Sequence, residues 1–268
     1  KSRTRAIGAP KGRFVPQPRK VLRETRFANK RLDPIGVELM TSSELRARVS
    51  AKLLFETERV GFFMVLVATG GRGEHLVDFE RFGLRTGHVI FVRPGQVQQW
   101  QPASGLEADL LLVDPAVVLP TASASQEGTM ALLRLEDWPV HFKMDADGLA
   151  AWRSLAAMLR RELDRPMLDE LSAAMARELL VCLMLSISRS ATGQAAPPTL
   201  QAVLVRHLRR ELEGLVATRP SVALLARRLR VSTSTLTRTC KDVLGHSAKE
   251  EVDRRVALEA QRLLVHSA

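Results

Sequence analysis

Five side chains between residues 233 and 241 are spaced so that they share one face of a predicted helix. They are three short hydroxyl-bearing residues followed by two basic ones: Thr233, Ser234, Thr237, Arg238 and Lys241. Hydroxyls near a helix N-terminus suit phosphate and base-edge contacts, an arginine can bind a guanine edge through two hydrogen bonds, and a lysine suits a backbone phosphate. The pattern predicts a surface for double-stranded DNA. The alternative is the solvated face of a small helical bundle.

Two short amphipathic helices joined by a tight turn are predicted to position these groups. Their apolar positions recur at helical steps at Val222, Leu225, Ala226, Leu229, Leu236 and Cys240. Ser232 is placed as the N-cap of the second helix, and Gly245 as the residue that ends it. Ser247 and Glu250 have the spacing of a capping box before a third helix. Helices joined by so short a turn cross steeply, as in a helix-turn-helix unit.

Residues 221–267 resemble the first half of the AraC/XylS-type DNA-binding domain. The matching residues are Leu225, Ala226, Leu229, Ser232, Leu236, Arg238, Lys241, Gly245, Ser247, Arg255, Ala260, Leu263 and Leu264. The resemblance implies that residues 233–242 form the recognition helix. It also implies that residues 248–265 form the long helix that joins two helix-turn-helix units.

The chain departs from the family pattern in three places. Cys240 stands where the family usually has a phenylalanine, and Glu251 stands where an apolar residue is common, so we expect that helix face to be more exposed. The second helix-turn-helix unit of the family pattern is not among the 268 residues, and we expect the DNA-binding domain at 200–268 to be truncated and to lack its second half; a unit that works with half the usual reader is the alternative.

A basic arm, residues 1–33, precedes the first apolar segments. It holds eleven lysines and arginines against two acids, a net charge of +9 within a total of +11. Arg19 and Arg23 have an R-x-x-x-R spacing, with Arg26 following, and resemble the arm of PilZ-type cyclic di-GMP binders. Guanidinium groups fork onto phosphates and guanine edges. The alternatives are another anionic effector, non-specific DNA affinity, or a solvated tail.

Short apolar runs with turn signals fill residues 35–115. Strands are predicted at 62–69, 75–80, 88–93 and 97–101, with one more before Pro115, which is typical of a small antiparallel barrel or sandwich. Residues 84–100 are similar to the strand–turn–strand segment of cupin-like sensor barrels. Arg93 and Trp100 lie around its Pro-Gly turn and are predicted to line an effector opening, together with Gln96 and Gln98. The alternative is that they cover the barrel end.

The metal ligands of enzymatic cupins do not recur in this segment as a set. Glu74, His75 and His88 are the candidates, but no H-x-H pair exists, and Gln98 stands where a ligand histidine is often found. We therefore expect no metal and no other cofactor. His75 and His88 are predicted to lie at the surface or the barrel mouth.

Two amphipathic helices are predicted after the strands, over about 149–163 and 168–186. Their seams face the barrel or a second copy of the chain, and Leu180, Leu183 and Met184 form a second apolar edge that predicts a homodimer. Residues 188–199 are small, polar and proline-rich, and are predicted to be a linker. The two cysteines, Cys182 and Cys240, are predicted to be small buried hydrophobes in a reducing cytoplasm.

Together these patterns predict an α+β chain in which an N-terminal antiparallel, cupin-like β-barrel with two following helices precedes an all-α helix-turn-helix domain. The parts are an arm at 1–33, an effector-binding and dimerisation domain at 34–187, a linker at 188–199 and the DNA-binding domain. No apolar run of eighteen residues occurs, which argues against a membrane span. The predicted function is a cytoplasmic, effector-responsive transcription regulator with no catalytic residues, which contacts RNA polymerase as an activator. The alternative is a cupin-type metalloenzyme with a helical interaction tail.

Overall fold

The computed structural model describes residues 23–101, 105–118, 133, 135–192 and 200–267. Within these residues the N-terminal part contains ten strands: β1 (Arg23–Thr25), β2 (Val37–Thr41), β3 (Glu58–Val60), β4 (Phe63–Gly70), β5 (Arg72–Val77), β6 (Glu80–Arg85), β7 (His88–Val92), β8 (Val97–Trp100), β9 (Glu107–Val113) and β10 (His141–Lys143). Three short helices accompany them: α1 (Ser42–Arg48), α2 (Ala51–Leu54) and α3 (Pro115–Val118).

The strands form two five-stranded sheets. One has the order β1-β3-β8-β5-β6, and the other has the order β10-β7-β4-β9-β2. All pairs are antiparallel except β1 with β3. The expectation of a β-barrel therefore needs a correction, because the two sheets are not hydrogen-bonded into a closed barrel within the described residues.

Strand β4 is buried on both faces, because the sheet that contains it is covered twice. Val65 and Val67 belong to a core shared with two long helices, whereas Met64 and Leu66 belong to a core between the sheets. Successive side chains of a strand point to opposite faces, so this uninterrupted apolar run serves both cores.

The two long helices are α4 (Ala146–Leu163) and α5 (Glu170–Thr192). Trp152 of α4 is fully buried, and its indole N–H donates to Asp109 on β9 at 2.9 Å. The predicted second apolar edge is wrong in its residues: Leu180, Leu183 and Met184 are all buried in the core under the sheet. Cys182 lies on the other side of α5 and is exposed, also against expectation.

Helix α5 is long and apolar enough, by length and composition alone, to cross a membrane over Glu170–Ala191. A search for uninterrupted apolar runs does not find this helix, because Arg177 and Glu178 interrupt its apolar residues. Its buried residues pack against α4 and the sheet, as expected of a core helix in a globular domain.

The end of the predicted arm is part of the fold. Strand β1 pairs in parallel with β3, and Leu32 and Ile35 are buried in the core under the sheet. The sequence gives only a weak indication that this segment is part of the fold, because its residues are buried by elements that lie far away in the sequence. Helix α1 then begins with a complete capping box between Thr41 and Glu44.

The C-terminal part is helical, as predicted. It consists of α6 (Leu200–Leu215), a 3₁₀ turn at Val216–Thr218, α7 (Val222–Arg228), α8 (Thr233–Leu244) and α9 (Ala248–Ser267). One core joins these helices, and its fully or nearly fully buried members are Val205, Leu208, Leu212, Leu225, Ala226, Leu236, Cys240, Ala248 and Val252. Burial raises the pKa of the Cys240 thiol to about 11, so that side chain acts as a small hydrophobe, as expected.

Candidate DNA-binding and effector-binding sites

The ends of α8 are fixed by the residues that the sequence indicates. The Ser232 hydroxyl accepts a hydrogen bond from the backbone N–H of Thr235 at 3.0 Å, and Gly245 ends the helix in the left-handed region, with φ of 75°. The reciprocal bonds between Ser247 and Glu250 complete the capping box of α9. These predictions are confirmed, and they fix where the exposed face of α8 begins and ends.

The turn between α7 and α8 is tight. Arg230 adopts a left-handed conformation with φ of 56°, and the N–H of Val231 donates to the carbonyl of Ala226 at 3.0 Å. A side chain at positive φ is unfavourable for most residues, so the surrounding helices must hold the turn in place. The turn sets a fixed angle between α7 and α8.

The five predicted DNA-binding residues all lie on α8, where their side chains meet solvent. Thr233, Ser234, Arg238 and Lys241 are exposed, and Thr237 is partly exposed. Within the described part of the chain, none of the five has an ion pair or side-chain hydrogen bond. The neighbouring Arg228, in contrast, is paired with Glu211 at 2.5 Å. The positive charges on the face of α8 are thus available to an external anion.

Glu251 does not leave an exposed face on α9, contrary to expectation. Its carboxylate accepts from Arg209 at 2.8 Å and from His246 at 2.7 Å. Burial alone would raise the pKa of Glu251, but these two hydrogen bonds and the charges of their donors hold it below its ordinary value. The polar residue that replaces an apolar one in the family pattern joins α6 to α9.

A cavity of about 440 Å³ lies between the two sheets, beside the segment that connects β1 to β2. Its apolar lining comes from strands of both sheets, from α1 and α2, and from the loops: Phe27, Met40, Leu45, Val49, Leu54, Phe62, Met64, Trp100, Leu110 and Leu112. The volume and the mostly apolar wall are those of a small-molecule site.

A chain of hydrogen bonds crosses one side of the cavity. His75 is joined to the Gln98 carbonyl oxygen at 3.0 Å, and the Gln98 amide donates to Glu58 at 3.0 Å. Glu58 also accepts from Arg23 and, at 2.5 Å, from Thr25. The carboxylate is buried but neutralised, since one arginine and two neutral donors bind it.

Cations outnumber acids around the cavity. Glu38 accepts from Asn29 at 2.7 Å and from Arg48 at 2.6 Å, and forms a second carboxylate–arginine pair there. Among the described lining residues, three further cations, Arg26, Lys30 and Arg31, stand against two carboxylates, and Arg26 is itself paired with Glu24 at 3.2 Å. Excess positive charge beside an apolar wall favours a ligand that is both anionic and partly apolar.

The predicted effector residues are divided between this cavity and other places. Arg23, Arg26 and Trp100 line the cavity, whereas Arg19 lies outside the described residues. Arg93 is directed elsewhere: its guanidinium donates to the carbonyls of Leu135 (3.0 Å) and Trp138 and lies over the Phe91 ring. Gln96 likewise bonds Asp78 and not the cavity. The structure differs from the prediction for these two side chains, because neither of them lines this cavity.

Three features of the cavity are not predicted from the sequence. They are Glu58, the hydrogen bond from Gln98 to the Glu58 carboxylate, and Arg48. Glu58 and Gln98 face each other across β3 and β8. No local pattern reveals this contact, since it depends on the pairing of strands forty residues apart. Arg48 ends a short helix whose capping box, Thr41 to Glu44, is the one signal that marks it.

The candidate metal ligands, Glu74, His75 and His88, do not converge within the described part of the chain. His75 is fully buried rather than at the surface, and burial lowers its pKa to about 4, against the opposing effects of the Gln98 hydrogen bond and the Glu58 charge. His88 is half-buried and bonded to His141 at 2.9 Å. In the described residues, no three histidine, cysteine or acidic side chains converge as metal ligands.

A cavity of small-molecule size, in one chain with a helix-turn-helix unit whose basic face has no partner among the described residues, defines a ligand-binding regulator. Residues 45–202, more than half of the chain, match the AraC-like ligand binding domain family. The chain belongs to this family, and it is an AraC-type transcriptional regulator.

Two solved structures illustrate what the chain is similar to. The AraC-like transcriptional activator CuxR is 13% identical, with 87% of this chain and 78% of that chain covered and a TM-score of 0.30. ToxT from Vibrio cholerae is 7% identical, with 81% of this chain and 97% of that chain covered and a TM-score of 0.29. No curated protein matches the chain.

Proposed function

We propose that the protein binds specific duplex DNA through α8 in response to an anionic small molecule held between the sheets. The observation that carries this proposal is the cationic, mostly apolar cavity within the ligand-binding family match. The same chain carries a helix whose exposed hydroxyl and basic groups have no partner in the described structure. Regulation rather than catalysis is the function typical of the family.

The proposed effector is an anion with a flat or extended apolar body. The cations lie along the arm-derived segment and α1, while strands of both sheets supply an apolar wall with side chains such as Met64, Leu110 and Trp100. A cyclic dinucleotide such as cyclic di-GMP and an organic acid both have this shared chemistry. The guanidinium groups of Arg23 and Arg26 can bind the phosphates and guanine edges of a cyclic dinucleotide. The apolar wall can hold the alkyl or aromatic part of an organic acid.

Thermal unfolding with three probes tests the class of effector. Decanoate or cyclic di-GMP is expected to raise the melting temperature, because a ligand of the native state stabilises it, whereas decanol, which lacks the charge, is not. The double variant Arg26→Ala with Lys30→Ala should bind the active anion about tenfold more weakly, since charge-assisted contacts are lost.

The matched control removes two exposed cations outside the cavity, Arg81→Ala with Arg85→Ala, and should leave the affinity unchanged. A stronger response to decanol than to either anion would contradict an anionic effector. So would the absence of a shift with both anions. A response to only one anion distinguishes the dinucleotide from the acid.

A homodimer is proposed through the exposed end of the α4–α5 hairpin. Four large apolar side chains remain exposed where α4 ends and α5 begins, namely Met158, Met167, Leu171 and Met175, and Met167 and Leu171 are 84% and 79% exposed. Such a patch on an otherwise mixed surface marks an interaction site. The partner proposed is a second copy, because two DNA-reading units are needed to bind two half-sites.

Leu171→Lys is expected to convert the dimer into a monomer, because the new charge would be buried at the centre of the apolar patch. Sedimentation velocity measures the change directly. Leu200→Lys places the same charge on an equally exposed leucine of α6 and should leave the dimer intact. A dimer that persists in Leu171→Lys would exclude this face.

The remaining parts of the proposal follow from the family resemblance. They are action in the cytoplasm and activation of transcription through contact with RNA polymerase. The resemblance favours activation over repression.

A further inference from the structure

Four charged side chains join the helix-turn-helix unit to the ligand-binding domain. Arg262 on α9 donates to both carboxylate oxygens of Asp78, at 2.9 Å from Nε to Oδ1 and through Nη2 to Oδ2. Arg59 on β3 donates to Glu259 on α9 at 3.2 Å, and Arg262 also binds Glu259 at 3.2 Å. We call Arg59, Asp78, Glu259 and Arg262 the interdomain clasp.

The clasp is largely removed from solvent. The Arg262 side chain is 7% exposed and that of Asp78 is 12% exposed, unlike the surface ion pairs elsewhere in the chain. A bidentate arginine–carboxylate pair at such burial fixes geometry as well as distance. Burial alone would raise the pKa of Glu259, but Arg262, Arg59 and Arg255 hold it below its ordinary value. The Glu259 carboxylate of the clasp therefore stays charged at neutral pH.

Asp78 sits in an unusual turn. It and Phe79 form the two-residue connection between β5 and β6, and both have positive φ, 48° and 71°. Such turns favour asparagine or aspartate followed by glycine, so a phenylalanine at the second position is unfavourable. The turn is held from the side by β8, because the Val97 N–H donates to Asp78 at 3.1 Å and the Gln96 amide at 2.6 Å.

The clasp and the cavity share two strands. Glu58 pairs with Gln98 across β3 and β8, and the next pair in the register is Arg59 with Val97. Glu58 and Gln98 line the cavity, while Arg59 reaches α9 and Val97 holds Asp78. Successive side chains of a strand point to opposite faces. The pair at the effector site and the pair at the contact with the DNA-reading unit are therefore adjacent in the β3–β8 register, on opposite faces of the sheet.

We propose that this interdomain clasp couples occupation of the cavity to the orientation of the DNA-reading unit. The proposal rests on the effector site proposed above. A ligand that moves the Glu58–Gln98 pair also moves Arg59 and Val97, whose backbone N–H donates to Asp78. The ion pairs that Arg59 and Asp78 form with α9 are then weakened or strengthened. Coupling of this kind is reciprocal, because the DNA-bound orientation must change the effector affinity by the same factor.

Pulsed electron–electron distance measurements test the clasp in the full chain. One spin label is placed on Cys182, which is exposed, and the other on Lys249→Cys in α9; Cys240 is fully buried and resists labelling. Labelled chain is diluted into unlabelled chain to suppress distances between subunits. Asp78→Asn removes the charge and keeps a residue that tolerates positive φ. It is expected to turn a single narrow distance distribution into a broad one.

Two comparisons complete the design. Glu74→Gln breaks an ion pair of the same hairpin, with Arg81, that does not touch α9, and should keep the narrow distribution. Glu58→Gln, at the cavity, should broaden the distribution as Asp78→Asn does. Arg262→Gln removes the partner of Asp78 from the α9 side, should broaden the distribution in the same way, and serves as the readout if Asp78→Asn unfolds.

A narrow distribution in both Asp78→Asn and Arg262→Gln would overturn the clasp. Broadening in Asp78→Asn without any change in Glu58→Gln would overturn the coupling to the cavity. Neither result depends on the effector. A failure of the anion probes to bind would instead refute the proposed effector class and leave the distances to decide the clasp.

Discussion

Arg238→Ala is expected to weaken binding to the specific duplex by about 1–3 kcal/mol, a loss of roughly 5- to 150-fold. Arg238 is exposed on α8, about one turn beyond the hydroxyls of Thr233 and Ser234, and has no partner in the described residues. A guanidinium in this position is free to donate two parallel hydrogen bonds to a guanine edge in the major groove. Removing it should abolish that discrimination while leaving the fold intact.

Competition binding on specific and random duplexes measures this change. Lys241→Ala should weaken both duplexes by a similar factor and lower the salt slope by about one, as expected for a phosphate contact. Arg153→Ala removes an exposed arginine from α4 and serves as the control. Equal losses on both duplexes in Arg238→Ala would show that Arg238 binds the backbone and not a base.

Acid is expected to destabilise the ligand-binding domain through His75. The side chain is fully buried, and burial lowers its pKa to about 4 from an ordinary value of 6.5. The folded state therefore favours neutral His75, and its contribution is fully present above pH 6.5 and is lost as the pH falls from 6.5 to about 4. The shift corresponds to about 3 kcal/mol of unfolding free energy over that interval.

Denaturant unfolding of His75→Gln at several pH values tests this expectation. Glutamine cannot gain a proton and can keep a hydrogen bond to Gln98, so the free energy of unfolding should fall less steeply between pH 6.5 and 4. His207→Gln changes an exposed histidine of α6 and should reproduce the slope of the unmutated chain. Parallel curves for His75→Gln and the unmutated chain would mean that His75 is already protonated in the fold or accessible to water.

The helix-turn-helix unit is predictable from the sequence because its determinants are local. The Ser232 cap, the left-handed Gly245 and the Ser247–Glu250 capping box each act within four residues. The inward positions Leu236 and Cys240 are separated by one helical turn, and both are fully buried. Short-range rules of capping and periodicity are sufficient for such a segment.

The cavity is less predictable because it depends on contacts between distant residues. Arg23 is found at the cavity, but only the parallel pairing of β1 with β3 places it against Glu58. His75 and Gln98 are twenty-three residues apart and meet across β5 and β8. A histidine in a strand gives no sign of whether it faces the core, and here the facing sheet buries it.

In helix α5 the hydrophobic periodicity does not predict which face is buried. Its sequence is apolar on more than one side, so both Leu180 and Leu171 belong to plausible stripes. The sheet and α4 bury Leu180 and leave Leu171 exposed. Which stripe faces a partner is decided by tertiary packing, and the same decision exposes Cys182.

The strand order of the two sheets has consequences for the speed of folding. Val37 pairs with Val113 and Ile90 with His141, and β8 joins β3 to β5, so most sheet contacts close long loops. Folding slows as contacting residues lie farther apart in sequence, whereas a small helical unit forms from near neighbours. During synthesis the N-terminal domain cannot complete its second sheet before residue 143 has emerged. The helices that follow can dock onto it through Arg262 only after that point, so we expect the docking to be a late event in maturation.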